Sequence, residues 1–78
     1  FRITVAVTAA DIPGLATTIM DVASKELKLS VRGINYMPKG DGTASAQLIV
    51  EVPSSGIVDM LLHSLRRIKG VKNAYRIN

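Results

Sequence analysis

Cysteine is absent from the 78 residues, so neither a disulfide framework nor a thiolate metal site can form. Tryptophan is absent too, and one Phe with two Tyr make up the whole aromatic complement. No apolar run approaches the roughly 20 residues that a bilayer span requires, and no charged-then-apolar leader is present. We therefore expect no membrane partner, and a cytoplasmic location. The chain opens directly in a strand pattern at Phe1, without an initiator methionine. That leads us to expect a single domain over residues 1–78, cut from the C-terminus of a longer protein whose catalytic part lies elsewhere. Acidic residues run out as well. None follows Asp59, whereas Arg66, Arg67, Lys69, Lys72 and Arg76 all do, and the net charge is +4. Five cations within eleven residues form the footprint expected of contact with phosphate or another acidic partner. Solubility alone is the plainer reading of such charges.

A chain this short buries only about 60% of the surface its unfolded form exposes. Its 47% hydrophobic content is nevertheless enough to fill a two-layer core without cross-links. Phe1, Ile3, Val5 and Val7 alternate with polar or small residues, a period of two that predicts a strand with one buried face. Asp11-Ile12-Pro13-Gly14 breaks the pattern, with Asp11 and Pro13 suited to opening a helix. Leu15, Ile19, Val22, Ala23 and Leu27 then share one helical stripe, with Asp21, Lys25 and Lys28 on the wet side.

Leu29 to Met37 reads as a second strand of mixed parity. Leu29 and Val31 point one way and Ile34 and Tyr36 the other, so a bulge at Gly33 is expected to reset the register. Pro38 to Gly42 is a hairpin turn, and Ala44, Ala46, Leu48, Val50 and Val52 are the inner face of a third strand. Ser55 is expected to cap a second helix whose core stripe is Ile57, Leu61, Leu65 and Ile68, flanked by Val58 and Leu62. Gly70 is placed as its left-handed C-terminal residue, and Val71 to Ile77 as the last strand. The order β-α-β-β-α-β predicts an α+β, ferredoxin-like sandwich. Its four-stranded antiparallel sheet runs 4-1-3-2 with both helices on one face.

Many functions share this architecture, so side chains must decide among them. Base-stacking RNA readers place aromatics on the central strands, but the open-face positions here are Arg2, Thr4, Ala6, Ser45, Gln47 and Ile49. An acylphosphatase-type phosphate loop needs an arginine between Thr8 and Gly14, where none occurs. His63 is the only histidine, and on the second helix it falls opposite Leu61 and Leu65 with no nucleophile arranged around it. Gly40 and Gly42 precede a strand, not a helix, and so do not form a phosphate cradle. Nothing in the sequence points to catalysis, and no cofactor is implied.

Asp11-Ile12-Pro13-Gly14-Leu15, directly after an alternating strand, resembles the Asp-x-Pro-Gly-Leu signature of ACT domains. Asp41-Gly42-Thr43-Ala44 leading into Gln47 to Val52, and Ile68-Lys69-Gly70-Val71 followed by Tyr75-Arg76, resemble the C-terminal ACT domain of RelA/SpoT-type GTP pyrophosphokinases. The resemblance implies regulation of distant (p)ppGpp synthetase and hydrolase domains in the stringent response, through protein, ribosome or tRNA contacts. It also implies pairing as a homodimer, and in some members binding of an amino acid where the first loop meets a neighbouring strand. Carried across, the ligand loop would be Asp11, Ile12, Pro13, Gly14 and Leu15 with Lys28, and the partner surface Arg66, Arg67, Lys69, Lys72 and Arg76. Asp11, where related domains often have asparagine, would hold an ammonium group, and Lys28 a carboxylate. A plain helix cap and a solvated lysine are the competing readings. The alternatives are an amino-acid sensor for another metabolic enzyme or regulator, or a ligand-free dimerisation module.

Overall fold

The computed structural model describes residues 1–78. Its elements are β1 (Arg2–Ala10), α1 (Leu15–Asp21), β2 (Ser30–Pro38), β3 (Thr43–Glu51), α2 (Gly56–Arg66) and β4 (Val71–Arg76). All strand pairings are antiparallel. The sheet runs β2-β3-β1-β4, which is the expected order read from its other edge. In the two central strands Ile3 faces Val50, Val5 faces Leu48 and Val7 faces Ala46, and all six are buried. They join Leu15, Ile19, Leu61 and Leu65 from the helices in one apolar cluster, so the helices cover one face of the sheet.

The expected bulge sits between Val31 and Gly33, leaving Arg32 as the extra residue. Val31 faces Val50, Ile34 faces Leu48 and Tyr36 faces Ala46, so the bulge puts both parities of β2 onto the core side. The stripe of the first helix is also as expected, but its hydrogen bonding is not. After Asp21 the helix widens into a π-helical turn over Val22–Glu26. Leu27 N–H reaches back to Val22 O (3.2 Å), and Leu29 N–H to Ala23 O (2.9 Å). Lys28 ends the turn in the left-handed conformation (φ 59°). The wider turn delivers both Ala23 and Leu29 to the core, where each is buried.

Three expectations need correction. Neither helix start is capped by a side chain: Gly14 (φ 78°) precedes α1, Ser55 precedes α2, and no side-chain oxygen accepts a free amide of either first turn. Asp11 is bonded to another partner, and Ser55 has helical φ and ψ in place of the extended backbone of a capping serine. The α2 stripe is centred on Val58, Leu61, Leu62 and Leu65, whereas Ile57 and Ile68 are only half-buried. Finally, α2 ends at Arg66 and leaves through Arg67 in right-handed geometry. Gly70 (φ 97°) serves the later turn into β4, closed by Val71 N–H to Ile68 O at 3.0 Å.

Candidate functional site

The β1–α1 loop, Asp11 to Gly14, is exposed but held from three sides, while Leu15 anchors its end in the core. Ala10 N–H donates to Gly70 O (2.8 Å) and Asp11 N–H to Gly42 O (3.0 Å). Asp11 Oδ1 accepts the Tyr36 hydroxyl at 2.9 Å. Partial burial raises the Tyr36 phenol above its ordinary pKa of 10.0, and the hydrogen bond and negative charge of Asp11 raise it further. The left-handed Gly14 turns its carbonyl to the first helical turn, where Thr18 donates to it through both N–H (3.0 Å) and Oγ1 (3.1 Å). A Cβ at Gly14 would meet nothing within 4 Å, so the space above the loop is open to an approaching backbone or ligand.

Lys28 stands away from this loop. It follows the helical segment that Leu15 begins, beside the start of β2, at the end of the sheet where Ser30 faces Glu51. There it borders an open cavity of about 640 Å³ with Leu27, Leu29, Val52 and Ile57. Within one chain the structure therefore gathers Asp11 to Leu15 and leaves Lys28 at the opposite end.

The five expected partner-contact cations do not act alike. Arg66 Nε donates to Ala74 O (3.0 Å), while Asn73 Oδ1 accepts Ala74 N–H (2.9 Å). Ala74 faces Val7 between the hydrogen-bonded rungs of β1 and β4, so these two groups point outward, and both are occupied by side chains. Arg76 lies farther along β4 opposite Val5, with Nε on Asn78 O (3.1 Å). Arg67 and Lys69 border a cleft of about 360 Å³ between the helical segments, facing Thr18 and Glu26 over a floor of Val22 and Ile68. Lys72 is the extra residue of the irregularity between Thr8 and Ala9 in the β1–β4 register. The cationic surface around the exit of α2 thus narrows to Arg67, Lys69 and Lys72, all exposed and without an acidic partner. His63 is exposed on α2. No three His, Asp or Glu side chains come together.

Tyr36, Asn73 and Gly70 were missed as parts of the site. The parity switch at Gly33 places Tyr36 on the core side, which is the one available signal. Asn73 and Gly70 matter through backbone contacts that sequence spacing does not encode.

The sequence profile of the ACT domain matches residues 1–76. The chain belongs to the ACT domain family. No curated protein matches it by sequence. Among solved structures, the ACT domain from GTP pyrophosphokinase of Chlorobium tepidum is 26% identical in its crystal form. There 99% of this chain and 97% of that one are covered, with a TM-score of 0.82. The solution structure of the same domain gives 26% identity and a TM-score of 0.82, covering 100% and 86%. The acetolactate synthase small subunit from Thermotoga maritima superposes with a TM-score of 0.83 at 10% identity, covering 100% of this chain and 48% of that one, and so shares the fold. ACT domains are generally regulatory and non-catalytic, and this chain is a regulatory ACT domain.

Proposed function

We propose that this ACT domain is the regulatory module of a (p)ppGpp synthetase/hydrolase, acting on distant catalytic domains of its parent chain. The observation that carries the reading is the end-to-end similarity to the Chlorobium tepidum GTP pyrophosphokinase domain at 26% identity. The exposed cations Arg67, Lys69 and Lys72 support a further contact with an acidic partner, the ribosome or tRNA, made through backbone and shape. The full-length parent should transfer pyrophosphate from ATP to GTP. Deleting residues 1–78 should leave that chemistry in place but remove its response to ribosomes carrying uncharged tRNA. A parent without pyrophosphoryl transfer, or with an unchanged response after the deletion, would overturn the reading.

The domain pairs with a second copy through β2. At the β4 edge, Arg66 and Asn73 occupy the outward groups of Ala74. At the β2 edge the outward groups of Ile34 and Tyr36 have no side-chain partner, which leaves a strand edge open to pairing. Sedimentation at micromolar concentration should give a dimer, with slow hydrogen exchange at the Ile34 and Tyr36 amides. A monomer with fast exchange at both positions would remove the proposal.

A second reading, an amino-acid sensor, is favoured by the open space above Gly14 beside the Asp11 carboxylate. Calorimetric titration with the twenty amino acids tests it, and heat from none of them would exclude it.

A further inference from the structure

Ile12 lies over Gly70. A Cβ built on Gly70 would stand 2.8 Å from Ile12 Cδ1 and 3.6 Å from Cγ1, and Gly70 also has φ +97°. The backbone reserves position 70 for glycine, and a side chain there would also push the Ile12 methyl aside. Beside this apolar contact, Ala10 N–H donates to Gly70 O at 2.8 Å. Ile12 is 36% exposed and lies outside the core cluster, so its packing partner is the turn and not the interior. The two contacts fasten the β1–α1 loop to a turn whose flanks carry Lys69 and Lys72. On its other side the same loop is fastened to Gly42 and Tyr36.

We infer that Ile12 is a positioning residue for the basic turn, packing on Gly70 so as to fix how Lys69 and Lys72 are presented. This rests on the reading that the basic corner meets an acidic partner. A side chain at position 12 too short to reach Gly70 removes that packing. The turn then keeps the Ala10 hydrogen bond and its own Val71–Ile68 closure, but loses the side chain packed against it.

Three arms test this in the 78-residue chain. Ile12→Ala should move the amide resonances of Lys69 to Lys72 and speed exchange at the Ala10 amide. It should also weaken binding to purified ribosomes at low salt by about twofold or more. Ile12→Leu, which keeps a δ-methyl group, should restore both. Gly70→Ala should destabilise the wild type by a larger factor than it destabilises Ile12→Ala, where the facing side chain is gone. Unmoved resonances at Lys69 to Lys72, or an equal Gly70→Ala effect in both backgrounds, would overturn the inference whatever the ribosome data say. The double reversal Lys69→Glu with Lys72→Glu judges the other claim. If it leaves ribosome binding intact, the acidic-partner reading fails, while the resonances still decide whether loop and turn are joined.

Discussion

Tyr36, on the bulged edge strand, donates its phenolic proton to Asp11 at the far end of β1, 2.9 Å away and 25 residues apart in sequence. The bond ties the edge strand to the β1–α1 loop, and it fixes a direction of pH dependence. The folded phenol holds its proton more tightly than the ordinary value of 10.0, through partial burial first and Asp11 second. Its contribution is complete below pH 10 and is lost as pH rises through the folded value. The urea midpoint of the wild type should fall more steeply above pH 10 than that of Tyr36→Phe. Parallel curves for the two proteins would mean that the bond carries no proton linkage.

Gly14 is left-handed with nothing near its missing Cβ, so a side chain there is opposed by the backbone alone. Gly14→Ala should lower unfolding free energy by about 1–2 kcal/mol. Gly14→Asn should cost less, because asparagine tolerates this conformation. Equal midpoints for all three proteins in urea would contradict the assignment.

Arg66 and Asn73 guard the β4 edge. Arg66→Ala should cost about 1 kcal/mol, the worth of a partly exposed hydrogen bond. The double variant Arg66→Ala with Asn73→Ala should expose the Ala74 groups and promote strand-to-strand association. Light scattering against concentration checks this, and wild-type behaviour of the double variant would show that the edge needs no guard.

The centring of α2 predicts unequal costs along the helix. Leu61 is fully buried, so Leu61→Ala should cost about 2–5 kcal/mol, a large share of a small domain's total. Ile68→Ala, at a half-buried position past the helix, should cost distinctly less. Denaturant melts that rank the two the other way would return the stripe to its sequence-based placement.

What was legible in the sequence was periodicity. The alternation of Ile3, Val5 and Val7, the parity break at Gly33 and the spacing of Leu15, Ile19, Val22 and Ala23 each report which face is buried, and burial dictates register. The loop Asp11–Leu15 was legible as a motif. Capping was not, because a side chain chooses among nearby partners by geometry: Asp11 took the Tyr36 hydroxyl in place of the helix amides. The division of the basic cluster was equally hidden. Arg66 and Arg67 are adjacent in the chain, yet one reaches the β4 backbone and the other borders the cleft between the helical segments.

The irregularity at Arg32 gives β2 the properties of a reading frame. Upstream of it the odd-numbered Leu29 and Val31 are the oily letters, downstream the even-numbered Ile34 and Tyr36, and the one unpaired residue is the frameshift that lets both be read on the same side. Deleting Arg32 would remove no core atom and no hydrogen bond of its side chain. It would also erase the bulge, for Val31, Ile34 and Tyr36 would then alternate plainly opposite Val50, Leu48 and Ala46. Straightening the strand with Arg32 kept is what would turn half of it inside out: either Ile34 and Tyr36 would face water with the Asp11 bond lost, or Leu29 and Val31 would. The position thus acts through the frame and not through its exposed side chain, and both substitution and deletion of Arg32 should be tolerated where a straightened frame that keeps the residue is not.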